Sequence, residues 1–291
     1  MRLTCITAFA AASFFMSAGA RTAGPCDEFV RKLPNLKREL CEAARLQPTG
    51  ARSVKGQTLW MRDVKPDDVR QRVLVIGAIH GDELSSASVA LHWIRLAEET
   101  AAPWSQAVHW RFIPALNPDG LLATPPRRVN ASGVDLNRNF PTPHWERDAA
   151  AYWEKRTRKD PRRWPGPAPL SEPESRFLHE EMQRFKPNLI VSIHAPYGVL
   201  DFDGPSVPPS RLGRLYLDQV GIFPGSLGNY GGVHKGVPVV TIELPNAMRT
   251  PLDAEMRQMW LDLMRWMGER MGPGMPDRWP RVPSAAQAPV P

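Results

Sequence analysis

The stretch VLVIGAIHGDE, residues 73–83, constrains this chain more than any other. Residues 73–79 form an almost continuous apolar run, rich in β-branched side chains and broken by a single glycine. Both faces of such a strand must be buried, so it reads as a central strand of a parallel or mixed sheet. The chain then turns polar at once, through His80, Gly81, Asp82 and Glu83. His80 and Glu83 stand three residues apart, which puts them on one face if the turn opens a helix. An imidazole and a carboxylate suit Zn²⁺, and a catalytic zinc of the two-His, one-Glu kind needs one more histidine from elsewhere. His-x-x-Glu is a weak pattern alone, since a helix with an acidic first turn reads the same way. Its position at the carboxyl end of a buried strand, where open α/β sheets carry their sites, adds weight to the metal reading.

The same plan recurs twice. Residues 188–193 (NLIVSI) are a further apolar strand ending in His194, and residues 237–244 (VPVVTIEL) carry Glu243 at their end. A parallel-rich sheet would bring His80, His194 and Glu243 to one edge, with His194 as the missing ligand. Of the other histidines, only His234 in GGVHKG competes. Glu243 is costly to bury unless something pairs with it. A structural salt bridge would answer that cost; so would a role as general base toward an attacking water, whose pKa zinc can lower to about 7. Residues 127–140 (RRVNASGVDLNRNF) hold a second polar cluster. The planar fork of Arg138 suits a carboxylate, with Asn137 adding directional donors, and Arg128 or Arg127 could face a reacting carbonyl.

The motifs GAIHGDE, GVDLNRNFP, SIH and TIELP, in this order, resemble the M14-type zinc carboxypeptidases, and within them the murein peptide amidase A branch. The resemblance spans residues 55–271. It implies an α/β single domain, a mixed, mostly parallel twisted sheet with helices on both faces. It also implies one Zn²⁺ held by His80, Glu83 and His194, with Glu243 as general base. Asn137 and Arg138 would bind the substrate's terminal carboxylate and Arg128 would polarise the scissile carbonyl, with Arg127 beside it as the competitor. Pancreatic-type members also use a mobile tyrosine ahead of the base. Tyr230 is a possible counterpart, but its loop is shorter here and the role is not carried over. The implied activity is zinc-dependent hydrolysis of a C-terminal amide, γ-D-glutamyl–diaminopimelate in murein peptides. Three alternatives stand beside it: a general metallocarboxypeptidase, a zinc deacylase of the succinylglutamate desuccinylase or aspartoacylase type, and a non-catalytic wall-binding module. The deacylases are typically intracellular, and a dead module would not need every reactive residue present.

At 291 residues, 42% of them hydrophobic, the chain can build one substantial core, and no repeat or second core-forming region is evident. Residues 1–20 combine Arg2, an apolar stretch and Ala-Gly-Ala, the pattern of a secretory signal peptide, so a periplasmic or secreted location is expected. Removing it leaves 36 basic against 30 acidic residues, net +6, and no later segment apolar enough to span a membrane. No recognition motif supports nucleic acid as a partner; a murein peptide or another peptide with a free C-terminal carboxylate fits the charge. Removal also leaves two cysteines, and an even pair in an oxidising compartment predicts a Cys26–Cys41 disulfide within an N-terminal arm, residues 21–54. The catalytic domain is expected over 55–272, and a proline-rich disordered tail over 273–291.

Local patterns fill in the rest. A helix is expected over 84–99 with Leu84, Ala87, Leu91 and Ile94 inward and His92 at the surface. Residues 110–116 read as a strand in which Pro114 marks an irregularity or edge. Residues 141–169 read as a long loop excursion bordering the site, with its basic run 155–163 a solvated loop. Ser171-Glu-Pro-Glu174 matches a capping box opening a helix, and Pro251 opens a last helix whose Met and Trp stripe reads as core.

Overall fold

The structure, a computed structural model, describes residues 24–99 and 107–271. The expected signal peptide and tail lie outside the described residues. In chain order the elements are α1 (Cys26–Lys32), α2 (Arg38–Ala43), β1 (Gln47–Arg52), β2 (Thr58–Val64), β3 (Gln71–Ile76), α3 (Leu84–Glu99), β4 (Val108–Ile113), α4 (Pro118–Leu122), α5 (Trp145–Lys155), α6 (Pro173–Phe185), β5 (Leu189–His194), β6 (Val199–Asp203), the short β7 (Arg211–Leu212) and β8 (Leu215–Tyr216), a π-helical segment (Gly228–His234), β9 (Val239–Glu243) and α7 (Asp253–Arg270).

Seven strands form one sheet in the order β1-β2-β4-β3-β5-β9-β6. The four central strands run parallel, and antiparallel β1, β2 and β6 extend the two edges. The apolar run at residues 73–76 sits in the middle, as its double-sided hydrophobicity requires. Val73 and Val75 face a core with α3, α7 and the N-terminal arm, whereas Leu74 and Ile76 face a second core with α6 and the π-helical segment. Each such aliphatic side chain, removed from water, contributes about 1.5–3 kcal/mol. The Met and Trp stripe of α7 belongs to the first core, where Trp260 packs 4.5 Å from Trp110 and 5.3 Å from Trp93. The fold is the expected one: a mixed sheet with a parallel centre and helices on both faces. No described helix is long and apolar enough to cross a membrane.

Several local expectations are corrected. His92 is buried, 6% exposed, with Nε2 2.9 Å from the carbonyl of Asn35; the N-terminal arm folds over the face of α3 that would otherwise meet water. Strand β4 is interior, between β2 and β3, and ends at Ile113, so Pro114 stops a central strand and marks no edge. The capping box does not form: α6 starts at Pro173 after Glu172, with no side-chain cap, because Glu174 is drawn away to Asn130 and the backbone of Val54. The 141–169 excursion contains helix α5, which fastens Trp145 to the backbone of Arg138. Strand β1 lies within residues 21–54, so the sheet begins before Lys55.

Cys26 and Cys41 form a disulfide. It ties α1 to α2; Phe29 of α1, with Leu33 and Leu36 of the link between the two helices, packs into the first core. Closing a loop of 15 residues stabilises a fold by about 3 kcal/mol on the chain-entropy estimate. Reduction, or a Cys26→Ser/Cys41→Ser pair, is therefore expected to lower stability by about that amount in denaturant titrations. Two alkylatable thiols in the untreated protein would contradict the bridge.

Candidate metal centre and catalytic cleft

From β3 the chain crosses to β4, and from β5 it leaves in the other direction, toward β9. Neighbouring strands whose connections part in this way leave a crevice at their carboxyl ends. His80 and Glu83 follow β3, His194 ends β5 and Glu243 ends β9, paired in register with His194. His80 and Glu83 are not on a helix as the i,i+3 argument supposed. They occupy the turn before α3, closed by Glu83 N donating to the His80 carbonyl at 3.3 Å and by Ser86 Oγ donating to that of Glu83 at 2.6 Å. Gly81 is required there: a Cβ would lie 2.3–2.4 Å from the backbone of Gly120 and Leu121.

The three ligand candidates converge. His80 Nδ1 is 2.8 Å from Glu83 Oε1, His194 Nδ1 is 3.1 Å from Glu83 Oε2, and the two Nδ1 atoms are 3.2 Å apart. The outer ring nitrogens have partners of their own: His80 Nε2 meets Asp135 Oδ1 at 3.1 Å and His194 Nε2 meets Ser192 Oγ at 2.9 Å. Burial opposes ionisation of Asp135, but Arg128 and His80 outweigh it and hold this carboxylate well below its usual range. An ionised Asp135 only accepts, so His80 donates through Nε2 and turns the Nδ1 lone pair inward. Two lone-pair nitrogens and a carboxylate facing one another at these distances need positive charge among them. Burial likewise opposes ionisation of Glu83, yet His80 and His194 hold it far below the ordinary value. Burial and Arg128 oppose a proton on His80, but Glu83 and Asp135 raise its affinity for one. Ligands of a tetrahedral zinc at about 2.0–2.2 Å stand roughly 3.3 Å apart, close to the separations here. The residues fit the ion, and among the described residues they are the one such group able to hold a metal.

Around this triad opens a cleft of about 440 Å³. Glu243 lines it, buried, with Oε2 lacking a partner among the described residues. Burial, with Glu83 adding to it, raises its pKa. Arg128 lines the cleft through Nη2, 3.1 Å from Asp135 Oδ2, and Nη1, 3.5 Å from Glu83. Arg127 is exposed and does not, which separates the two neighbours. Arg138 is 4% exposed, stacked 4.4 Å over Phe223, with Nε unpaired among the described residues; burial lowers its pKa to about 10. Asn137 is fixed by Leu227 N donating to its Oδ1 at 2.8 Å.

Tyr230 is elsewhere: its hydroxyl bonds His179 Nδ1 at 2.8 Å and its ring stacks on Phe140 in the second core. His234 is exposed and apart from the cleft. The basic run expected as a solvated loop is partly functional ground, since Arg156, Asp160 and Arg163 line the cleft and Arg162 pairs with Asp82 at 2.8 Å. Sequence reasoning gave no role to Asp135, Ser192, Asp201 or Asp203. Asp135 could have been marked from its place within GVDLNRNF; nothing local marks the others.

A two-His, one-carboxylate centre with a free carboxylate beside it, at the carboxyl edge of a doubly covered sheet, defines a zinc hydrolase. The zinc carboxypeptidase model of the peptidase M14 family matches residues 30–201, and the chain belongs to that family. Murein peptide amidase A of Escherichia coli K12 is 29% identical over 208 residues, covering 69% of this chain and 82% of that protein. Its counterpart in Vibrio campbellii is 32% identical over 182 residues, 60% of this chain and 69% of that one. The crystal structure of a murein-tripeptide amidase from Escherichia coli O157 superposes with a TM-score of 0.53 at 26% identity, covering 76% of this chain and 97% of that chain.

Proposed function

We propose that this cleft hydrolyses the γ-D-glutamyl–diaminopimelate amide of murein peptides and releases diaminopimelate, in an exported protein. The observation that carries the reading is Arg138. A buried guanidinium with an unmet donor is costly unless an anion joins it. A substrate carboxylate beside the triad would be that anion, and diaminopimelate at the end of a murein tripeptide offers one. With Asn137 Oδ1 engaged by Leu227 N, the amide's Nδ2 is left to donate to the same carboxylate. The murein peptide amidases among the relatives support the substrate class. The Cys26–Cys41 bridge supports an oxidising compartment.

His80, Glu83 and His194 would hold the zinc. When bound, the ion polarises the scissile carbonyl and makes water more acidic. Glu243 takes the proton from the attacking water and delivers it to the leaving nitrogen, a task suited to a carboxylate of raised pKa. Arg128, held by Asp135, faces the carbonyl oxygen as negative charge develops there. Arg138 and Asn137 position the leaving residue.

Mass-spectrometric cleavage of murein tripeptide beside ordinary L-peptides tests this directly. Release of diaminopimelate from the tripeptide is expected; trimming of L-peptides with the tripeptide left intact would replace the reading with a general carboxypeptidase. Arg138→Ala is expected to raise KM and lower kcat together, because the clamp also sets the amide over the metal. The combined loss in kcat/KM should be about 10²–10³-fold, the scale of one buried charge partner removed.

A further inference from the structure

The ring closed by the Cys26–Cys41 bridge is bonded to α3, α4 and α7. Ser88 Oγ on α3 donates to the carbonyl of Pro34 at 2.7 Å, and His92 Nε2 lies 2.9 Å from that of Asn35. Lys32 Nζ donates to the carbonyl of Ala123, the residue after α4. Asn35 Nδ2 donates to Asp253 Oδ1 at 3.1 Å, where α7 begins. Two of these helices wall in the turn that carries His80 and Glu83. Helix α3 starts at Leu84, directly after Glu83, and Ser88 stands one turn inside it. Helix α4 supplies Gly120 and Leu121, the backbone against which Gly81 is packed without room for a Cβ. From outside, the ring therefore braces the two helices that hold this turn from inside.

Opening the bridge returns freedom to a loop of 15 residues, and the bonds above must then order that loop unaided. Close-packed interiors pass such loosening on to their neighbours. We propose that the bridged arm is a redox-sensitive brace for the metal centre: with the bridge closed the turn is held ready to ligate, and with it open the chain holds zinc more weakly. This rests on the reading of His80, Glu83 and His194 as a zinc site. The reductant is a monothiol, two equivalents for each bridge. Its first thiolate attacks Sγ of half-buried Cys26, and Cys41, 1% exposed, leaves and takes up a proton. The second attacks the mixed disulfide at the reductant's sulfur; Cys26 leaves as a thiol and the reductant departs as its own disulfide. Two electrons and two protons thus pass to the cysteines. Linkage makes the coupling reciprocal, so bound zinc makes the bridge harder to reduce by the same factor.

Zinc affinity is read by competition with a chelator, in the bridged protein and in a Cys26→Ser/Cys41→Ser pair that brings no thiol of its own to the metal. The expected result is zinc held about 10–100-fold more weakly by the folded variant, the scale on which outer supports of a metal ligand act. In glutathione buffers, saturating zinc should make the bridge of the wild-type protein harder to reduce, by about 30 mV for each tenfold of that difference. Equal zinc affinity with and without the bridge overturns the brace, as does a reduction potential that zinc leaves unmoved. Should the double variant fail to fold, Ser88→Ala with the bridge intact takes its place. It removes one bond between arm and α3 and should weaken zinc by about 2–10-fold; unchanged affinity there overturns the brace as well. A bridged protein that binds no zinc removes the metal reading itself, whereas zinc bound equally in both forms removes the brace alone.

Discussion

Glu243→Gln is expected to lower kcat by about 10²–10⁴-fold or more while the protein keeps its zinc and its fold. The amide has the shape of the carboxyl group but cannot accept the proton of the attacking water. It can still accept the backbone hydrogen bond that Tyr197 makes to this side chain. Folding should not suffer. Burial raises the carboxyl's pKa above its unfolded value, so in the metal-free protein the ionised group opposes folding at any pH above that unfolded value. A neutral amide removes this penalty, and thermal melting of the metal-free variant at pH 7 should be no lower than wild type. Loss of turnover with metal and melting temperature retained separates a proton-transfer role from a structural one. Near-wild-type kcat would reduce Glu243 to packing.

His80→Ala or His194→Ala is expected to abolish stoichiometric zinc and with it all turnover. Two remaining protein ligands rarely hold a catalytic zinc. The lost imidazole also leaves Glu83 without one of the two rings that offset its burial. Elemental analysis of the dialysed variants reads this outcome, and one zinc per chain in both would overturn the ligand assignment. Asp135→Asn should give a graded version of the same defect. An amide no longer fixes the ring by a charged acceptor at Nε2, and outer partners of this kind are worth about 10–100-fold in metal affinity.

The candidate ligands His80 and His194 and the candidate base Glu243 were legible because each stands at the end of an apolar, β-branched run. A strand buried on both faces has few neighbours it can tolerate, so a histidine or glutamate at its end is conspicuous. Helix α3 was legible for a similar reason, being long and periodic. Tyr230 shows the limit of such reasoning: its position along the chain allowed a role near the base, and its hydroxyl is spent on His179 in the second core. Helix α5 was hidden because prolines and tryptophans around it obscure any period, and it turns Tyr152 toward the cleft.

By itself, then, the sequence determined the strand-and-site grammar of this protein: which runs must be central, which polar residues stand at their carboxyl ends, and which family pattern they share. Tertiary structure alone put Arg128 and not Arg127 on the cleft wall, buried His92 under the N-terminal arm, brought the 155–163 run to the cleft wall and seated Asp203 against two glycines. The physical reason is range. Hydrophobic periodicity acts over a few residues and is written along the chain, whereas burial of a charge and the identity of its partner depend on segments far apart in sequence: 55 residues separate His80 from Asp135, and 114 separate it from His194.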